Sequence, residues 1–114
     1  ITYLLDDSAA YSVFSLETQQ ALDVSTLDLE GIVAMIKEIE GVEVAVLFTE
    51  MPDGSCKISL RSRDWFDCNR CASVFGGGGH VRASGATLTR PLAEAVEAVL
   101  AEITQEWEEA HHAE

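Results

Sequence analysis

The sequence predicts a single α/β domain, a mixed β-sheet with flanking helices, on three observations. Short β-favouring runs alternate with segments of helical periodicity. Two of those runs, Val42–Thr49 and Cys56–Ser62, flank Met51-Pro52-Asp53-Gly54, whose turn chemistry joins them as an antiparallel hairpin. The 114 residues suit one hydrophobic core and not two, and no repeat or linker divides them. The domain is expected to span residues 1–107, with 108–114 a polar C-terminal tail.

Ile1–Leu5 and Tyr11–Leu16 are short apolar runs separated by Asp6-Asp7-Ser8. Tyr, Val and Phe in the second favour a strand, although Ala10, Val13 and Phe14 also fit a helix through 9–22. Glu17–Leu22 reads as a short helix. Leu29, Ile32, Val33, Ile36 and Ile39 form one helical stripe, capped by Asp28 and stopped by Gly41. Val42–Thr49 becomes continuously apolar, as a central strand covered on both faces does. In Cys56–Ser62, period two puts Ile58 and Leu60 on one face and Ser59, Arg61 and the following Arg63 on the other. Asp67–Phe75 reads as a two-turn helix with Ala72 and Phe75 inward, ended by glycine. Ala83–Thr89 is a strand. Pro91 suits the first turn of a helix whose stripe (Leu92, Val96, Val99, Leu100, Ile103, Trp107) lasts to about residue 107.

The function-bearing stretch is Phe75–Leu88, FGGGGHVRASGATL. Four consecutive glycines lose much backbone entropy on ordering, so they argue against a helix or strand interior. They offer positive φ, close approach to backbone, and N–H groups able to form an anion-binding nest. His80 and Arg82 at the exit add donors. The plainer reading of such a run is a flexible connector. Charge favours a site. The net charge is −13, yet six of the seven Lys and Arg residues lie between 57 and 90, opposed only by Asp64 and Asp67. That window carries +4 and the remainder −17. An acidic body argues against long duplex nucleic acid, whereas a small cationic window suits a short anionic ligand. Arg61 and Arg63 read either as a solvated strand face or as phosphate clamps, with Ser59 or Ser62 an added donor.

No apolar run approaches the roughly 20 residues of a membrane span, and no signal-peptide pattern opens the chain. The chain begins on ITYLL without Met and reads as an excised domain. Cys56, Cys68 and Cys71 are an odd number, consistent with a reducing, cytoplasmic setting. The lone C-x-x-C at 68–71 lacks the second pair a zinc site needs, even with His80 as a third ligand. It reads as packing thiols ahead of a redox pair. The glycines precede no Lys-Ser/Thr, so the loop is not a P-loop. No Ser–His–acid set or carboxylate pair can be placed by spacing. The residues support binding of a small phosphorylated ligand, not independent catalysis.

FGGGGHVRASGATL resembles the GGGH-x-x-A-x-G signature of the DHH-associated domain, the C-terminal half of DHH-family phosphoesterases. The likeness extends through DLEGIV (28–33), GVEVAVLF (41–48) and SLRSR (59–63), over roughly residues 10–105. It is strongest with the oligoribonuclease and phosphoadenosine-phosphate phosphatase branch. Ala83-Ser84-Gly85 stands where the motif usually has Ala-Ala-Gly, a nearly isosteric change that adds a hydroxyl.

The resemblance implies a substrate-binding domain for short RNA or a nucleotide phosphate. Its partner would be an N-terminal DHH catalytic domain of the same polypeptide. Two Mn²⁺ ions and the Asp-His-His motif would lie on that domain, and this chain contains no such triplet. No catalytic residue, metal ligand or cofactor is therefore expected here. Carried over by position, Arg61, Ser62, Gly77, Gly78, Gly79 and His80 would contact the nucleotide. Arg63 and Arg82 join them on charge alone. Similar domains at the C-terminus of alanyl-tRNA synthetases handle RNA, and cyclic-dinucleotide phosphodiesterases use a related plan, so both stand as alternatives. The apolar N-terminal run is suited to pair with the catalytic domain or with a second copy in a homodimer.

Overall fold

In the computed structural model, which describes residues 1–23 and 26–111, a six-stranded mixed sheet carries an apolar cluster on each face, so the single core expected from length is divided by the sheet into a larger and a smaller part. The elements in order are β1 (Thr2–Leu4), β2 (Ala9–Phe14), α1 (Leu16–Leu22), α2 (Thr26–Lys37), β3 (Val44–Glu50), β4 (Cys56–Ser62), α3 (Cys68–Val74), β5 (Gly78–His80), β6 (Ala83–Leu88) and α4 (Leu92–His111). Strand order is β1-β2-β3-β4-β6-β5. β2 and β3 are parallel and every other pair is antiparallel. The parallel pair requires a crossover, which α1 and α2 provide.

β3 is the apolar centre. Its pleat sends Val44, Val46 and Phe48 to a core closed by α3 and α4, and Ala45 and Leu47 to a smaller core beneath α2. That two-sided burial explains the continuous apolar run. In the larger core Ala95, Val99 and Ile103 of α4 lie with Ile58 and Leu60 of β4 and the thiols Cys56, Cys68 and Cys71. All three cysteines are fully buried and unpaired. Desolvation pushes the Cys68 thiol up to about 11 and raises Cys71 further, so these are inert packing groups.

One open alternative is excluded and three expectations change. Residues 9–14 are strand and 16–22 helix, which excludes a helix through 9–22. α2 begins at Thr26, so Asp28 falls inside the first turn and not at the cap; its side chain lies outside the described residues. The glycine run is only partly a turn, since Gly78–His80 forms the edge strand β5. α4 continues past Trp107 to His111, so part of the expected tail is helical, while residues 112–114 lie outside the described set.

That extension has a packing cause. His111 stacks on Trp107 at a centroid separation of 4.9 Å, and its Nδ1 lies 2.7 Å from the Trp107 carbonyl oxygen. Trp65 sits against both rings, at 4.8 and 5.2 Å. The backbone N–H groups of Asp64, Trp65 and Phe66 all donate to the buried carboxylate of Glu43, at 2.9–3.1 Å. One acidic side chain thereby shapes the turn that leaves β4.

Two positions show why the run needs glycine. Gly76 ends α3 with φ +81°. A Cβ on Gly77 would stand 2.1 Å from the Gly85 carbonyl oxygen and 2.5 Å from the Ala86 Cβ, because β6 crosses directly against this backbone. Gly77→Ala is expected to cost about 3 kcal/mol or to prevent folding. In Gly31, on the exposed face of α2, an added Cβ meets nothing within 4 Å. Gly31→Ala is expected to stabilise the domain by about 0.5–1 kcal/mol. Urea unfolding of the two variants reads both effects.

Glu106 is a buried acid on the last described helix. Its side chain is 4% exposed, one turn beyond Ile103 on the buried stripe, and its Oε2 has no hydrogen-bond partner. Desolvation, then hydrogen bonding to the neighbouring Glu102, pushes its carboxyl up to about 8. Arg70, with Nε 3.9 Å away, opposes this only in part. The folded chain therefore holds a proton that the unfolded chain releases near 4.5. Stability should fall as pH rises from that value through about 8. Glu106→Gln should flatten the dependence, measured as Tm against pH.

Candidate functional site

The pleat of β4 builds the site. While Ile58 and Leu60 enter the larger core, Lys57, Ser59 and Arg61 point to the opposite face. The sheet register sets their neighbours. Lys57 pairs with Thr87, Ser59 with Gly85 and Arg61 with Ala83 of β6; Gly78 and His80 of β5 then pair with Gly85 and Ala83. Directly paired residues share a face, so His80, Ala83 and Arg61 form one row and Gly78, Gly85 and Ser59 the next. Small side chains at 78, 83 and 85 keep the floor low.

On this side α2 packs over β2, β3 and the near edge of β4. Thr87 and His80 are exposed, and Gly78 and Gly85 half-buried. The result is an open hollow of about 360 Å³ bounded by Glu30, Lys57, Ser59, Arg61, Gly78 and Gly85.

Its electrostatics are organised by Glu30, which α2 projects over β4. One Glu30 carboxylate oxygen accepts from Arg61 Nη2 at 3.0 Å. The other accepts from the Ser59 hydroxyl at 3.2 Å and lies 3.6 Å from Lys57 Nζ. Arg61 Nη1 also donates to the Leu60 carbonyl at 3.0 Å, fixing the guanidinium plane. Two cations share one carboxylate, so the hollow keeps a surplus of positive charge and unused guanidinium donors. At the rim, His80 Nδ1 accepts from the Arg82 backbone N–H at 3.1 Å. In the neutral ring this leaves the proton on Nε2, an outward-facing donor.

Of the residues expected from sequence, Arg61 and Gly78 line the hollow and His80 lies on its outer row. The others do different work. Ser62, on the core face, is buried and donates to the Phe66 carbonyl at 2.7 Å. Arg82 Nη1 donates to Ser62 Oγ at 3.0 Å and to the same carbonyl at 2.7 Å, tying the turn between β5 and β6 to the turn after β4. Arg63 Nη2 donates to the Lys37 carbonyl at 2.9 Å, closing the C-terminal end of α2. Gly77 packs on Ala86. The amides of Gly76, Gly77 and Gly79 donate to Ser73 O, Ala72 O and Asn69 Oδ1, so these N–H groups do not converge as a nest.

Sequence reasoning did not single out Glu30, Lys57 or Asn69. Lys57 was legible, since it shares the two-residue period of Ser59 and Arg61. Glu30 and Asn69 arrive from other elements, and nothing local signals them.

A family model, the DHHA1 domain, matches residues 6–109. The chain belongs to the DHHA1 domain family. Over 80 residues it is 39% identical to the bifunctional oligoribonuclease and PAP phosphatase NrnA of Thermus thermophilus, covering 69% of this chain and 24% of that protein. It thus spans about a quarter of that relative's length. A crystal structure of an exopolyphosphatase-related protein from Bacteroides fragilis superposes with a TM-score of 0.83 at 32% identity, over 91% of this chain and 31% of that one. The C-Ala domain of Aquifex aeolicus alanyl-tRNA synthetase shares the fold, with a TM-score of 0.62 at 15% identity over 83% of this chain and 89% of that one.

Among the described residues of this DHHA1 domain, no three His, Cys, Asp or Glu side chains converge as metal ligands would. The donors of the hollow are cationic or hydroxyl groups, which suit an anion. No described helix is long and apolar enough to cross a membrane. Because Arg82 serves the turn, Arg82→Ala is expected to destabilise the domain by about 2 kcal/mol, read by chemical denaturation.

Proposed function

We propose that this domain is the substrate-holding half of a DHH phosphoesterase, with the hollow on Arg61 binding a phosphate of a short RNA or a nucleotide. One observation carries the reading: Lys57, Ser59 and Arg61 stand on an open sheet face whose floor is glycine and alanine. Such a surface lets a phosphate approach the strands closely while two cations and a hydroxyl supply charge-assisted donors.

In this reading Arg61 is the main phosphate ligand, Ser59 and Lys57 assist, and His80 Nε2 closes the outer side. Gly78 and Gly85 provide clearance. Arg63, Ser62, Gly77, Gly79 and Arg82 act indirectly, by holding the strands that present these groups. Bond cleavage, with the Mn²⁺ ions it would use, belongs to a DHH catalytic domain facing this surface. The 39% identity to an oligoribonuclease and PAP phosphatase supports that partnership.

Calorimetric titration of the chain with 5′-phosphorylated diadenylate tests the proposal. Arg61→Ala should weaken binding about 10- to 100-fold, the range for a lost hydrogen bond to a charged group. Arg90→Ala, an exposed cation outside the hollow, should leave it unchanged. Equal affinities of wild type and Arg61→Ala would remove the assignment. Tight, steeply salt-dependent binding of tRNA with little for the dinucleotide would replace it by an RNA-handling role.

A further inference from the structure

The cationic hollow borders a second cavity of different chemistry. This one, about 270 Å³, is lined by Leu16 of α1, Leu29 of α2, and Met51 and Pro52 of the turn between β3 and β4. Glu30 and Lys57 line both cavities. Their ion pair therefore stands at the boundary between a charged face and an apolar recess.

The recess is built by long-range bonds and not by loose packing. The Leu16 N–H donates to the Glu50 carboxylate at 2.8 Å. The Gln19 amide nitrogen donates to the Phe14 and Glu50 carbonyls at 3.0 and 2.9 Å. These contacts pin α1 to the end of β3 and fix the walls of the cavity. They also engage both hydrogens of the Gln19 amide, so Gln19 can offer the cavity only an acceptor, Oε1.

We propose that the recess is a nucleobase subsite, taking the heterocycle of the nucleotide whose phosphate lies on Arg61. The inference rests on the phosphate reading above and goes beyond it. A base is a flat apolar body with polar edges, and the recess sets Leu16, Leu29, Met51 and Pro52 beside polar groups of Gln19 and Thr49. The volume falls just under the roughly 300–1,000 Å³ of pockets that enclose whole small ligands, which suits one ring system and not an entire nucleotide. The shared Glu30–Lys57 boundary lets a single ligand enter both compartments, with its sugar across the ion pair.

Titration of the chain with AMP and with ribose 5-phosphate separates base from phosphate. AMP should bind about tenfold more tightly, the return from burying roughly one ring face. Met51→Trp, which fills the recess from the turn, should bring AMP to the ribose 5-phosphate affinity and leave the latter unchanged. In the wild-type chain the Met51 and Leu29 methyl resonances should shift with AMP and not with ribose 5-phosphate, a readout that does not depend on the variant folding. Equal affinities with silent methyls, while Arg61→Ala still weakens both ligands, would overturn the base subsite and leave the phosphate site standing. If the wild type binds neither compound, both fall together.

Discussion

The two-residue alternation of β4 is the constraint on which both the core and the open face depend. The residues that close the larger core, Ile58 and Leu60, are interleaved with Lys57, Ser59 and Arg61. A slip of one residue against β3 or β6 would bury an arginine and a lysine and expose the core's centre, so the register is energetically locked. The burial that stabilises the sheet therefore also positions the cations. Chemistry at this surface needs no separate scaffold.

Three glutamates show how an acidic chain uses carboxylates away from open solvent. Glu43 gathers three backbone N–H groups and fixes the turn after β4. Glu30 binds two cations and a hydroxyl, holding Arg61 in place before any ligand arrives. Glu106 has only the exposed Arg70 at 3.9 Å and an Oε2 with no partner, and burial pushes its carboxyl toward the protonated form. The distinction lies in the supply of donors: amides for the first, cations for the second, almost none for the third.

Much of this was legible in the sequence, for identifiable reasons. The hairpin, the doubly covered β3 and the stripe of α4 follow from period and turn chemistry, which are local. The resemblance around FGGGGHVRASG reached the family that the DHHA1 match then showed. Local period also placed Arg61 with Ser59. The same period puts Ser62 with Ile58 and Leu60 on the core face; it could not show that Arg63 and Arg82 already have carbonyl partners across the fold. Nor could it find Glu30, whose approach to β4 depends on how α2 lies across the sheet. The glycine run misled in a specific way. Its composition suggests freedom, whereas much of its function is clearance, because β6 passes within contact distance of Gly77.

The stack of Trp65, Trp107 and His111 has an optical consequence. Both tryptophans of the chain lie in this one cluster, their rings 4.8 Å apart, and none borders the Arg61 hollow. Selectively excited tryptophan fluorescence therefore watches a single corner, where the last turns of α4 meet the loop after β4. It will register undocking of that helix and stay silent when a ligand settles on the open face. A tryptophan introduced at position 51 would end this silence and give the cleft a chromophore of its own.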